Sequence, residues 1–374
     1  MQRSSGLIPL VAIVAMLGVA CAQPAASPTA PAKPTEAPKA PAAVSPSPAA
    51  SPSPAAKPAA ISLPKPEQTS IKIGHSTLEN SQLAFPLAND LGIYKKYGLE
   101  NVELFFNEGD AKALQALVAG QVDASAQGVS VAIASQTTDV PVVAVAMTST
   151  ILTDDLVATS NVKTAADLKG KAVAVSAFGG TSHGSVLLAL KGLGLSPNDV
   201  TIQQVGGQSA RVAALKAGSV AAAPIDIALR DEMKQQGFNV LISLPDTPLE
   251  YGRSGLVVRR DWMEKNPNTV LALVATYLEG QNAIWTQTER GIDSFAKWTQ
   301  QTDRSKAEGQ VKEFLKSGRR DMRWNKEGFE LARDVQATQN PAIANVDVTK
   351  AYTYQFLDKL RDMGLNDMLG VPKT

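Results

Sequence analysis

The residues best placed to do chemistry lie in one short stretch, Val175-Ser176-Ala177-Phe178-Gly179-Gly180-Thr181-Ser182-His183-Gly184. It reads as a strand end, a pair of glycines that let the backbone approach closely, and a helix start with Thr181 or Ser182 as N-cap. The exposed amides and the dipole of such a helix start favour an anion. The same residues also suit a plain turn and cap. The stretch lacks the lysine of a phosphate loop and the spacing of GxGxxG. His183 falls in the first turn of this helix, where a capping surface position and a ligand contact are both open. His75 follows the first strand beside Ser76 and Thr77, at the carboxyl end where cleft residues gather. Asp226 ends a short strand after Pro224-Ile225, and Glu250-Tyr251 lies near a crossover. The pair Asp154-Asp155 reads as solvated loop acids, and Lys95-Lys96 and Arg319-Arg320 as solvated polar faces. No GxSxG elbow accompanies any of the serines.

Composition narrows the chemistry further. The 374 residues hold 36 Lys plus Arg against 35 Asp plus Glu, a net charge of +1, so nothing suggests a nucleic-acid partner. One cysteine, Cys21, excludes an intramolecular disulfide framework and any cysteine-built metal cage. With two histidines in the chain, a His-rich metal site is not expected either. Hydrophobic residues at 44% are enough for a sizeable core.

The elements that position these residues begin after a long leader. Residues 1–20 run from Arg3 through an apolar stretch, Leu7 to Val19, into Ala20-Cys21, the order of a secretory signal. Leu17-Gly18-Val19-Ala20-Cys21 resembles a bacterial lipoprotein processing site, which implies lipidation of Cys21. From 21 to 68 the composition turns to Pro, Ala, Ser and Lys, with thirteen of the 23 prolines, and Ser45–Ala50 recurs as Ser51–Ala56. Such a stretch has too little apolar side chain to build a core and reads as a tether. In extended polyproline form it would reach about 145 Å.

From Ile71 onward, short β-type runs alternate with helical stretches. Strands are expected at Ile71–Gly74, Val102–Phe106, Val122–Ala126 and Val140–Met147, with helices from about Pro86 to Gly98, at Asp110–Ala119 and at Ser130–Thr137. A second series has strands at Lys171–Val175, Val200–Val205, Val220–Ala223 and Val240–Leu244. Its helices are expected at Thr181–Gly192, Ala210–Ala217 and Ile225–Gln236. A further strand at Gly255–Val258 is followed by helices to about Gly364. The alternation argues for α/β lobes with mostly parallel sheets. Extended segments near Ser149–Ala158 and Pro248–Val258 join the two series, so a hinged cleft is expected between two lobes. Ala116–Val122 and Ala214–Val220 echo each other across the series.

Several of these segments resemble the solute-binding proteins of ABC importers, in the nitrate/sulfonate/taurine and thiamine-pyrimidine-precursor family. Leu87–Leu99 running into Val102-Glu103-Leu104 is similar to a family signature. Ala113–Asp123 with Ala124–Gly128, Ala166–Lys171 with Val173–Val175, and Gly179–Leu188 match in the same order. The resemblance covers Ile71 to Leu315. It implies a type II periplasmic-binding fold, with residues 69–155 and 252–374 as one lobe and 156–251 as the other. Its cleft residues would be Ser76, Thr77, Gln127, Gly128, Gly180, Thr181, Ser182, His183 and Asp226. The function implied is capture of a small organic or anionic solute and delivery to an importer's permease and ATPase subunits. The chain would act without a cofactor or catalysis, as a monomer anchored outside the cytoplasm through Cys21. Fungal pyrimidine-precursor synthases share the fold, but they rely on His and Cys residues around iron. A ligand-sensing protein acting through a separate signalling chain is the alternative. The loop His75–Asn80 carries no Lys or Arg, which favours a larger organic ligand over a bare inorganic anion.

Overall fold

Two five-stranded sheets with the same internal order form the body of the protein. The computed structural model describes residues 61–372 except 248, 249 and 325. The signal segment, Cys21 and the tether up to residue 60 lie outside the described residues.

The first sheet has the order β2-β1-β3-β10-β4 and the second β7-β6-β8-β5-β9. The strands of the first are β1 (Ser70–His75), β2 (Asn101–Phe106), β3 (Ala124–Gln127), β4 (Val142–Ser149) and β10 (Ser254–Arg259). Those of the second are β5 (Asp154–Ala158), β6 (Ala172–Val175), β7 (Thr201–Gln204), β8 (Ala222–Asp226) and β9 (Asn239–Ser243). Four strands of each sheet share one direction, and one is reversed. The reversed strand is β10 in the first sheet and β5 in the second. Both reversed strands follow a crossing between the sheets. The chain leaves β4 through residues 150–153 into β5, and returns from β9 through residues 244–253 into β10. The two crossings run side by side, the Tyr251 amide donating to the Thr150 carbonyl at 2.6 Å.

Helices cover the faces. In the first half they are α1 (Ala84–Asp90), α2 (Ile93–Lys96), α3 (Asp110–Val118) and α4 (Ser130–Ser135). The second sheet carries α5 (Ala165–Leu168), α6 (Thr181–Gly192), α7 (Gln208–Lys216) and α8 (Arg230–Gln235). After β10 come α9 (Arg260–Lys265), α10 (Pro267–Thr286), α11 (Thr288–Thr299), α12 (Arg304–Ser317), α13 (Lys326–Ala337), α14 (Gln355–Asp362) and α15 (Leu365–Leu369). The apolar helix α10 is buried along most of its length and packs with Ile71, Ile73, Phe85 and Leu256 in the core of the first lobe. A second apolar cluster joins Val129 and Tyr251 to Leu156, Val186 and Phe329, so the two lobes share packed side chains where they meet. Strand β4 is buried throughout although it ends its sheet, because residues 351–353 bond to both polar groups of Ala144. Covering an edge in this way removes a site for unwanted strand pairing.

Four expectations need correction. The helix expected from Pro86 to Gly98 is two pieces, because Gly92 adopts φ 70° between them, a conformation glycine reaches without steric cost. Strand β8 runs through Pro224 to Asp226, so the helix expected from Ile225 starts at Arg230 after a short 3₁₀ turn. Asp154 and Asp155 are strand residues, 9% and 0% exposed, not solvated loop acids. Finally, residues 61–68, read as part of the tether, lie against the folded body. Ile61 and Leu63 pack on the first core, and the Glu67 carboxylate accepts the Asn268 and Thr269 amides at 3.1 and 2.7 Å. A distant acid thereby satisfies open donors at the N-terminus of α10.

Candidate functional site

Loops at the carboxyl ends of β1, β3, β6 and β8 carry the predicted site residues, and the two lobes touch there. Gly128, just after β3, sits so close to Thr181 of α6 that a Cβ added to it would lie 2.9 Å from the Thr181 hydroxyl. The Gly128 amide donates to Asp110 Oδ1 at 3.0 Å, which fixes the loop. A Cβ at Gly184 would fall 2.6 Å from the Tyr251 hydroxyl. These two glycines, one on each lobe, permit the close approach that had been expected of Gly179 and Gly180. Gly179 is needed for its φ of 77°, whereas Gly180 has φ −83° and no atom within 3.5 Å of an added Cβ.

On the first lobe, Ser76 is buried, its amide bonded to the Ala126 carbonyl and its hydroxyl accepting from Gln82 Nε2 at 3.1 Å. The Thr77 hydroxyl is buried without a partner among the described residues. Gln127 is 0% exposed, and neither its amide nitrogen nor its amide oxygen meets a partner among the described residues. An unpartnered buried polar group costs about 1–3 kcal/mol, so a side chain with two such atoms calls for an explanation. His75 stacks on Phe106 at 5.3 Å and lies 5.2 Å from Trp298. Burial pushes its imidazole below the ordinary value, against a contact with the Thr77 carbonyl that raises it.

On the second lobe, α6 begins at Thr181 with Gly180 as N-cap and no side-chain cap, so neither Thr181 nor Ser182 takes the capping place expected of it. The Ser182 hydroxyl turns back on its own loop, accepting from the Ser176 amide at 2.8 Å and meeting the Ser176 hydroxyl at 2.6 Å. His183 is fully buried, not a surface residue. Its Nδ1 accepts from the Gly179 amide at 3.1 Å, and Nε2 has no partner among the described residues. Burial pushes the imidazole down to about 4. It is therefore neutral at pH 7, and the Gly179 bond assigns its proton to Nε2, making that atom a donor.

Asp226 belongs to a buried charge cluster that sequence reasoning missed almost entirely. Arg253, on the returning crossing, is 5% exposed; its Nη2 lies 3.1 Å from Glu79 Oε2 and 3.6 Å from Asp226 Oδ2, and its Nη1 has no partner among the described residues. Asp226 also accepts from Thr153 Oγ1 at 3.0 Å and from the Ala228 amide at 3.0 Å. Asp154 stands directly across the strand pair from Asp226 and takes a 2.5 Å bond from Ser185 Oγ. Arg211, on α7, donates to the backbone carbonyls of Pro224 and Gly206. Burial, with Asp226 and Asp154 adding to it, pushes the Glu79 carboxyl up to about 7 against the pull of Arg253 and Arg211. The Glu79 side chain nevertheless keeps 41% of its surface open to water. The Asp226 carboxyl is raised for the same first reason, burial, with Arg253 opposing. Arg319, read as solvated, is held between Glu250 at 3.2 Å and Asp321.

A weak signal for the missed residues was present. Arg211 shares a helix face with Leu215, four residues on, and Arg253 immediately precedes a buried strand; a cation in either place needs acidic partners. A separate cavity of about 250 Å³ is lined by Leu91, Glu279, Asn282 and Arg290 and draws on no residue of the second lobe.

Two α/β lobes of matching strand order, joined by paired crossings and meeting at their strand ends, are the architecture of the periplasmic binding proteins. The family model described as NMT1/THI5 like matches residues 81–290, more than half of the chain, and the chain belongs to that family. It is 27% identical over 230 residues to a putative binding protein of Brucella abortus, covering 60% of this chain and 70% of the relative. The fold is similar to that of the periplasmic aliphatic sulphonate binding protein SsuA of Escherichia coli, with a TM-score of 0.59 and 22% identity over 76% of this chain and 92% of the other. It is also similar to that of the desulfurization enzyme DSZB, with a TM-score of 0.56 and 15% identity over 79% and 99% of the two chains.

Proposed function

We propose that this protein is an extracytoplasmic receptor that captures a small organic or anionic solute between its lobes and delivers it to an ABC importer. The two closing bodies would be residues 69–153 with 252–374, and residues 154–251, the expected boundary at 155 moving back so that β5 stays whole in the second sheet. The observation that carries the reading is Gln127, fully buried where the lobes meet with both ends of its amide unpartnered. Such a group earns its place by bonding to something the protein binds.

The remaining contacts follow from the geometry. His183 Nε2, Arg253 Nη1 and the backbone amides at the start of α6 would donate to acceptor atoms of the solute, while Thr77 and Gln127 offer hydroxyl and amide groups. Gly128 and Gly180 would let backbone approach the solute, and Ser76, Ser182 and Asp226 would hold the surrounding loops. Phe106 and Phe178, 52% and 46% exposed at strand ends of different lobes, provide apolar area for an organic molecule. The acid-rich cluster around Arg253 is a poor place for a bare inorganic anion. Recognition would come from hydrogen bonds and lobe closure, without chemistry on the solute. The signal-like leader would direct export, and a lipidated Cys21 would then hold the receptor on the outer face of a membrane as a monomer that serves the importer's permease and ATPase subunits.

A thermal-shift screen of the purified chain against sulfonates, taurine, nitrate, bicarbonate, pyrimidines and aromatic carboxylates tests the proposal. A solute at about 100 times its dissociation constant adds about 2.7 kcal/mol. In a body of this size that is a rise of about 5 °C. The proposal expects such a rise from one chemical class.

A further inference from the structure

Arg253 touches both lobes from the segment that joins them. Glu79 leads out of β1 in the first sheet, Asp226 closes β8 in the second, and a single guanidinium nitrogen, Nη2, lies within 3.1 Å of one and 3.6 Å of the other. Each acid comes from a part of the chain distant from the arginine, Glu79 from the first lobe and Asp226 from the second. Asp226 is anchored in its own lobe by the Ala228 amide and also accepts from Thr153 on the outgoing crossing. Glu79 is held to the cluster by Arg253 and remains partly open to solvent.

We propose that Arg253 is an interlobe latch, a positioning residue that fastens Glu79 of the first lobe to Asp226 of the second when the cleft closes. The latch serves the receptor reading, since closure around a solute is the motion it would govern.

Its charge balance makes it sensitive to protons. The groups that face Glu79 are Arg253 on the crossing, Asp226 at the end of β8, Asp154 on β5 and Arg211 on α7. Three carboxyls therefore share two guanidiniums, and Arg211 is largely committed to backbone carbonyls. With the lobes together the Glu79 carboxyl titrates at about 7 instead of 4.5. When the lobes part and water reaches it, the ordinary value returns. A group whose affinity for protons is higher in the closed form favours closure at low pH, and that preference fades as pH rises from about 4.5 through 7. Neutral Glu79 still accepts from Arg253, so protonation keeps the bond while removing the like-charge repulsion from Asp226 and Asp154.

The test is an interlobe distance distribution by pulsed electron spin resonance on the unliganded full chain. Labels go at exposed Lys112 and Lys234, replaced by cysteine, in a Cys21→Ser background. The latch predicts that Arg253→Gln shifts the population toward longer distances. It also predicts that the closed-to-open ratio of the wild type is about 25-fold higher at pH 5.5 than at pH 8, and that Glu79→Gln abolishes this response. A distribution unchanged by Arg253→Gln overturns the latch. Should Arg253→Gln fail to fold, Glu79→Gln decides alone: a pH response equal to the wild type's overturns it. Because no solute is added, failure of the latch and failure of the receptor reading show up in different experiments.

Discussion

Asp110 and Gln208 occupy the same place in the two lobes. Each begins the helix that follows the corresponding edge strand of its sheet, β2 or β7, and each accepts the amide of the residue 18 positions later, Gly128 at 3.0 Å and Asp226 at 2.9 Å. With the matching strand orders, this pairing shows that both lobes are built on one plan. The plan is then used unequally. Gly128 lets the second lobe come close, whereas Asp226, its counterpart, brings a carboxylate to Arg253. The result is one cleft with a polar side and a charged side.

The close approach at Gly184 gives the first prediction. A Cβ there would meet the Tyr251 hydroxyl at 2.6 Å and its ring at 2.8 Å, and Tyr251 is fully buried. Gly184→Ala should destabilise the protein by about 1–3 kcal/mol, the cost of overpacking. Gly180→Ala, with no atom within 3.5 Å of the new Cβ, should cost less than about 1 kcal/mol. Urea unfolding of the two variants checks the contrast, and equal losses would contradict it.

Asp155 supplies the second. Its carboxylate is 0% exposed and receives a two-point bond from Arg230, at 2.5 and 2.6 Å. Removing one member of a buried pair leaves the other without its partner. Asp155→Ala should therefore lower stability by about 3 kcal/mol, and calorimetric unfolding would show it. A loss below about 0.5 kcal/mol would mean the pair contributes no more than an exposed one.

The segment before β1 gives a third. Glu67 reaches the start of α10, and its carboxyl is held below the ordinary value: desolvation raises it, but the Thr269 and Asn268 amides and the Thr269 hydroxyl outweigh that. Glu67→Ala should cost about 0.5–2 kcal/mol, as loss of a cap does. Truncation through Gln68 should cost at least as much, because Ile61 and Leu63 go with it. Unchanged melting temperatures in both variants would show that residues 61–68 contribute nothing to the body.

His183 and Glu79 pull the pH dependence in opposite directions. His183 falls to about 4 from an ordinary 6.5, so its contribution is complete above 6.5 and is lost as pH falls toward 4. Glu79, raised from 4.5 to about 7, contributes below 4.5 and loses that contribution as pH rises to 7. The wild-type curve between pH 4.5 and 6.5 is therefore partly flattened. His183→Gln should remove the histidine's slope and leave stability rising as pH falls across that window. Denaturant midpoints at pH 4.5, 5.5 and 6.5 check the sign, and a variant curve parallel to the wild type would refute it.

Much of this architecture was legible because it is written in local pattern. The apolar run from Val140 marked a buried strand, which begins at Val142, the glycines at 179 and 180 marked a strand-to-helix turn, and the Ala116–Val122 and Ala214–Val220 echo proves to be a true correspondence of α3–β3 with α7–β8. The charged half of the site was not legible, because its members meet only in three dimensions: Glu79 and Arg253 are 174 residues apart. Asp154 and Asp155 were misread for a related reason. Two adjacent acids look like a solvated loop until Ser185, 31 residues away, and Arg230, 75 away, supply their partners. Gly184 was passed over because a glycine inside a helix shows its purpose only against the ring it faces.

Gln127 offers the most direct test of the receptor reading. In a protein without a solute, replacing its two unpartnered amide atoms by a side chain of similar size should relieve a cost, so Gln127→Leu should melt at the same temperature as the wild type or higher. Titration calorimetry with the panel compound that gives the largest thermal shift should then show affinity reduced at least about 10-fold, the loss of one good hydrogen bond. A Gln127→Leu protein that is stable and binds that compound as tightly as the wild type would contradict a solute site between the lobes.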